Sequence, residues 1–233
     1  MHVNRLLALA ASTLLSACAS HLNAPAETVS VPDTGFRTIT GITYSPDNWP
    51  QELQADLYLP DSPDPAPAVL LVHGGGWERR SRKDMTWIAE HLAGRGFAVM
   101  NIDYRFAPEH TFPAQLHDLQ IAMNWLHARA GADNLDRNAI SAFGFSSGAH
   151  LVSLLAVIAE SQHPLNQPHG GTVARPEAVV AGGLPADLRT FGSGKPIRQL
   201  LCADRPDIPC VSSAPSPITH SPPRPPPAVM FPG

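Results

Sequence analysis

Gly144-Phe145-Ser146-Ser147-Gly148 stands between two apolar runs, Ala139–Phe143 and Gly148–Ala159. The first run is short and rich in small and β-type residues, and the second has the length and spacing of a helix. A strand that reverses into a helix within one residue requires positions two before and two after the serine to lack side chains. Glycine stands at both. This is the G-x-S-x-G pattern in strand–turn–helix context, which lifts a serine hydroxyl above the C-terminal edge of a sheet. A plainer reading, a turn that opens a helix with Ser146 as its cap, has the same local chemistry.

The rest of the chain agrees with an α/β sheet. Ala68-Val69-Leu70-Leu71-Val72 is continuously apolar, as strands buried on both faces are, and Phe97–Ile102 reads the same way. Phe36–Tyr44 and Leu53–Leu59 alternate polar and apolar, as half-buried antiparallel strands do. Lys83–Arg95 has helical spacing and stops at Gly94 and Gly96. Pro113 opens a long amphipathic helix carrying Leu116, Leu119, Ile121, Ala122, Trp125 and Leu126. Ala178–Ala181 is one more short strand. Strands alternating with helices predict a mainly parallel sheet with helices on both faces.

A second glycine cluster changes what the serine turn means. His73-Gly74-Gly75-Gly76-Trp77 follows the buried strand at 68–72 directly. Consecutive glycines leave backbone N–H groups uncovered, which is what a developing oxyanion requires. No Gly-Lys-Ser/Thr follows, so the loop is not a phosphate cradle. Gly192-Ser193-Gly194-Lys195 is not one either, because Pro196 takes the hydroxyl position and Arg189 the first glycine position.

With both motifs and Asp103-Tyr104-Arg105-Phe106-Ala107-Pro108-Glu109-His110 in this order, the sequence resembles the α/β-hydrolase esterases of the hormone-sensitive-lipase and feruloyl-esterase-like kind. Phe112-Pro113-Ala114-Gln115 and Ser146–Leu151 fit the same pattern, over roughly residues 36–220. The resemblance implies Ser146 as nucleophile, with Gly75, Gly76 and the N–H of Ser147 as oxyanion hole. It makes 103–110 a structural segment beneath the site. It also implies a small-molecule ester substrate and no cofactor. An aryl-formamidase acting on amides shares these motifs. A non-catalytic binding module on the same fold is the reading from another class.

The resemblance is incomplete downstream. The family orders its triad serine, acid, histidine, with the acid after a seventh strand and the histidine after an eighth. Ser216–His220 resembles the stretch before the seventh strand, and Ala228–Gly233 the strand itself. The expectation is therefore a C-terminally truncated hydrolase domain at 36–205 with impaired activity. Asp187 and His220 are the weak candidates for acid and base. Ten of the 25 prolines fall within Pro206–Gly233, which predicts a tail unable to form a central strand and an open edge at the strand around 178–181. His163 and His169 lie in a Pro/Gly loop, while His91, His117, His127 and His150 fall on helices. No His/Cys/Asp spacing indicates a metal.

Composition narrows the partners. The 233 residues carry a net charge of −4 with 15% charged residues, so no basic field exists for nucleic acid. At the N-terminus Arg5 precedes Leu6–Leu15, ten residues without a charge, too short to span a bilayer and suited to a secretory signal. Leu15-Ser16-Ala17-Cys18 resembles a bacterial lipobox, cut before the cysteine. The expectation is a signal at 1–17, a lipid on Cys18 and a tether over 18–35. Cleavage near Ala17 or Ala19 by an ordinary signal peptidase is the alternative. By resemblance to bacterial sorting, Ala19 after the cysteine favours the outer membrane, with contact to the membrane through the lipid alone. In such an oxidising compartment Cys202 and Cys210 can form a short disulfide loop or stay as two thiols. If Cys18 carries the lipid, Cys18→Ser blocks processing or moves the protein to the soluble fraction. Unchanged processing and membrane fractionation of that variant would exclude the anchor.

Overall fold

The computed structural model describes residues 33–159, 163–169, 174–191, 194–202, 216–217 and 228–231. Seven strands form one sheet: β1 (Phe36–Thr43), β2 (Gln54–Pro60), β3 (Ala66–Val72), β4 (Ala98–Ile102), β5 (Leu135–Phe145), β6 (Val179–Gly182) and β7 (Ala228–Phe231). Their spatial order is β1-β2-β4-β3-β5-β6-β7. The pairs β1–β2 and β2–β4 are antiparallel and all others parallel. Among the described residues they are accompanied by the helices α1 (Thr86–Ala93), α2 (Ala114–Arg129), α3 (Ser147–Ile158) and α4 (Lys195–Cys202). This is the α/β-hydrolase architecture expected from the sequence.

The continuously apolar strands serve two cores at once, because successive side chains leave a strand on opposite faces. Ala68, Leu70 and Val72 join Leu57, Met100 and Ile102 in the larger core with α2 and α3. Leu71, Tyr58 and Val99 point the other way, against Met85, Ala89 and Ala93 around α1. Ile197 and Leu200 of α4 close part of the larger core. Apart from Pro67, β3 and β4 are buried on both sides, which is why no polar alternation marks them.

Helix starts differ from the sequence reading. Arg82–Met85 is a separate 3-10 turn before α1, held by a reciprocal Ser81–Asp84 capping box. Pro113 caps α2 from outside rather than forming its first turn. The amphipathic α4 has no counterpart in the sequence reading.

The edge beside β6 is corrected. Ala228–Phe231 pairs in parallel with β6, with Ala228 opposite Val179 and Phe231 opposite Gly182. The strand around 178–181 is therefore not open. The argument from proline fails because the four strand residues contain none: Pro227 and Pro232 flank the run and leave every amide within it able to donate. Cys18, Cys210 and His220 lie outside the described residues. Cys202 ends α4.

One buried ion pair ties the segment after β4 to α2. The Asp118 carboxylate is fully buried and lies 2.7 Å from Arg105 Nη2. It also accepts the Arg105 backbone N–H at 2.8 Å and the Trp49 indole N–H at 2.8 Å. Burial pushes the Asp118 carboxyl up, and the Arg105 guanidinium draws it back. Truncation of either partner leaves a charge in the core, which costs about 3–5 kcal/mol. Asp118→Ala should therefore lower the urea midpoint by more than about 1 M, since unfolding slopes are about 1–3 kcal/mol per M. Unfolding followed by circular dichroism reads the shift.

Candidate active site

The parallel register sets Val72 of β3 opposite both Ile102 of β4 and Gly144 of β5. Three strands thus end level, and the loops that follow them, 73–81, 103–113 and 144–148, converge on one side of the sheet.

The turn at Ser146 has the geometry that the glycines demand. Ser146 has φ 52° and ψ −116°, a left-handed conformation for a non-glycine residue. Such backbone costs on the order of 1–3 kcal/mol and persists only when the surroundings enforce it. Here the Ser146 N–H donates to Gly182 O at 2.7 Å, and the His150 N–H donates to Ser146 O at 3.0 Å. A Cβ on Gly144 would lie 2.3 Å from Gly148 O, and one on Gly148 would lie 2.3 Å from Val72 O and 2.5 Å from His73 O. No side chain fits at either position. A helix-cap role for Ser146 has no support, since its side chain makes no capping bond.

The glycine loop faces this turn. A Cβ on Gly74 would lie 2.9 Å from Phe145 O and 3.3 Å from the Ser146 Cβ. Gly75 has φ +123°, closed to other residues, and folds so tightly that its Cβ would meet Arg79 O at 2.1 Å. Trp77 and Arg80 also hold positive φ, 62° and 78°. Trp77 is clamped by burial and by the edge of the His150 ring, 5.3 Å between centroids. The amides of Gly75 and Gly76 belong to this loop, and that of Ser147 opens α3 where the helix dipole is positive. The structure thus brings Ser146, Gly75, Gly76 and Ser147 together.

Two side-chain devices join these segments, and the sequence reading missed both. Tyr104 stacks on His73, 4.5 Å between centroids and 17° between planes. Its buried hydroxyl donates to His73 O at 3.2 Å and lies 3.4 Å from Ser147 Oγ. It therefore touches the root of the glycine loop and the first residue of α3 at once. Arg82, at the far end of the loop, lies between two carboxylates. Its Nε is 3.0 Å from Asp56 Oδ1, its Nη1 bonds Asp103 Oδ2, and its backbone N–H donates to Asp103 Oδ1 at 2.8 Å. Asn101 Nδ2 donates to Arg82 O at 2.7 Å. The loop is thereby fixed to β2 and β4. The Asp-Tyr-Arg segment signalled such contacts, but their partners lie far away in sequence.

His73 does not line the cavity before Ser146. Its Nδ1–H donates to Gly74 O at 2.6 Å, and burial holds its pKa below the ordinary histidine range. The cavity in front of Ser146, about 430 Å³, is lined by Gly74–Gly76, Arg79, Arg80, Asp84, Met85, Trp87, Ile88 and Phe145, with no histidine among the described residues that line it. Asp187 does not line it. Its carboxylate takes the Arg189 guanidinium through Oδ1 at 2.8 Å and Oδ2 at 2.7 Å, and Arg189 holds it down to about 2. It is an ionised acid committed to a neighbouring arginine.

Comparison with known proteins places these features. Esterase LipC of Mycobacterium tuberculosis is 35% identical over 118 residues, covering 50% of this chain and 29% of that protein. An arylesterase of Saccharolobus solfataricus is 32% identical over 109 residues, covering 46% of this chain and 36% of the relative. The chain thus spans about a third of these relatives. Among solved structures, esterase B from Lactobacillus rhamnosis superposes with a TM-score of 0.60 at 26% identity, over 81% of this chain and 59% of that one. The BD-FAE family matches residues 55–233, from β2 through the glycine loop and the Ser146 turn to the end of β7. A match over that much of the sequence makes the chain a member of the BD-FAE family, on the α/β-hydrolase fold.

Proposed function

We propose that this protein binds small carboxylic esters at Ser146 and cleaves them as a serine esterase. The observation that carries the reading is the meeting of the strained Ser146 turn with the Gly74–Gly76 loop across level strand ends. Ser146 Oγ attacks the ester carbonyl, and the oxygen that gains charge is received by the Gly75, Gly76 and Ser147 N–H groups. The alcohol leaves, and water releases the acid from the acyl-serine. The names of the relatives, esterase and arylesterase, support ester rather than amide substrates.

The proton on Ser146 needs an acceptor, and none lines the cavity among the described residues. His220 is the remaining histidine that the sequence reading singled out. Without a base, a serine of this kind keeps only the part of catalysis that its oxyanion hole and binding provide, several powers of ten below a full triad. That observation favours slow turnover, and in the limit a cavity that binds esters without cleaving them. We also propose export and a lipid on Cys18, supported by the run at Leu6–Cys18.

A fluorophosphonate probe tests the serine. We expect slow labelling that Ser146→Ala abolishes. Labelling that survives Ser146→Ala would refute the assignment. With Ser146 in place, slower labelling in His220→Ala than in the unmodified chain would identify the proton acceptor.

The oxyanion geometry has its own test. Tyr104→Phe keeps the stack on His73 and removes the hydroxyl between His73 O and Ser147 Oγ. The labelling rate should drop about threefold to tenfold, the range of one hydrogen bond. If the hydroxyl acts through Ser147, the Tyr104→Phe/Ser147→Ala double variant is no slower than the slower single one. Independent, multiplying losses would show that the two residues do not act as a unit.

A further inference from the structure

The cavity before Ser146 has an uneven charge. Three residues of charged type line it: Arg79, Arg80 and Asp84. Arg80 Nη1 lies 3.2 Å from Asp84 Oδ1, so these two offset each other. Asp84 Oδ2 is further engaged by the Ser81 N–H at 2.9 Å. Arg79 has no ion-pair partner among the described residues and is exposed. The wall therefore keeps one uncompensated positive charge, in a chain whose net charge is −4.

That charge is rooted beside the reacting centre. The Arg79 carbonyl folds back onto Gly75, within 2.1 Å of where a Cβ would lie. The following residue, Arg80, holds φ 78°, a conformation that a long side chain adopts only under constraint. The loop is thus wound so that consecutive arginines line the space in front of Ser146. Flanking the same space, Trp87 is 68% exposed and Phe145 53%, two of the three large apolar side chains that the fold leaves in solvent among the described residues.

We propose that this cavity selects esters carrying a carboxylate, with Arg79 binding the anion while Trp87 and Phe145 flank the apolar body. The proposal rests on the esterase reading for its orientation, with the scissile carbonyl at Ser146. It adds a substrate class: half-esters of dicarboxylic acids, or esters of comparable shape, in preference to neutral ones. Arg79 is then a specificity residue. Its fork of N–H donors matches a carboxylate with two parallel bonds. Asp84 is the counterweight, because it withholds Arg80 from the ligand.

Binding can be separated from turnover in Ser146→Ala protein. Monoethyl glutarate and ethyl valerate have the same ethyl ester and spacer and differ in a terminal carboxylate against a methyl group. Calorimetric titration should show tighter binding of monoethyl glutarate. Arg79→Gln should weaken that binding roughly fivefold, the upper range for an exposed ion pair. Asp84→Asn keeps an oxygen for the Ser81 N–H and frees Arg80, so it should tighten the same binding. A general disturbance of the loop would weaken both variants, so the opposite signs mark a charge effect. Raising the ionic strength should reduce the preference in the Ser146→Ala parent. Equal affinity for the two esters, undetectable binding of monoethyl glutarate, no effect of Arg79→Gln, or shifts of one sign in both variants would overturn the proposal. With Ser146 restored, the ratio of kcat/KM for the two esters reports the same selectivity. If neither ester is cleaved, the esterase reading fails while the titration still decides the anion site.

Discussion

Parallel pairing of β3 with β5, Val72 opposite Gly144, is the constraint from which the site follows. Because the two strands end level, the turn after one and the loop after the other must occupy the same few ångströms. That space admits backbone only. Gly148 rests against the carbonyls of Val72 and His73, and Gly74 against the carbonyl of Phe145. A register shifted by one residue would reverse the faces of β3, exchanging Leu70 and Val72 with Leu71 between the two cores. The apolar side chains buried on each face thus set the separation between the Ser146 turn and the Gly74–Gly76 loop.

Packing alone does not hold the long loop between β3 and α1. Arg82 anchors its far end to Asp56 and Asp103, two carboxylates for one guanidinium. Such a cluster adds little net stability, since desolvation offsets much of the attraction, but its geometry is specific. Gly41 N–H also donates to Asp56 Oδ1 at 2.8 Å, so β1 shares the anchor. The Arg105–Asp118 pair does the same for the segment after β4, and Tyr104 lies between the two anchors with its hydroxyl on the loop and on α3. Strain at Ser146, Trp77 and Arg80 is tolerated because each lies within or beside these fixed points.

Electrostatics separates the roles of the acids near this end of the sheet. Asp103 and Asp118 are engaged by arginines that brace the site from below, and Asp187 by Arg189 away from the cavity. Among the described residues, Asp84 is the one acid that lines the cavity, where it offsets one of two arginines.

The sequence by itself determined the sheet, the Ser146 turn and the glycine loop. Each is written in contiguous residues under local rules: continuous apolar runs for strands buried on both faces, glycine where a Cβ cannot fit, helical spacing for α1 to α3. It also marked Ala228–Phe231 as strand-like, yet the density of prolines around those residues argued for an open β6. Only the tertiary structure showed that the prolines stop at its ends and that its amides pair with β6. The tertiary structure also decided which distant residues meet: Arg82 with Asp56 and Asp103, Tyr104 with Ser147, and Arg79 with the cavity before Ser146. These contacts join residues up to 43 apart in sequence. Charge and size name many candidate partners at such distances, and the level ends of three parallel strands choose among them.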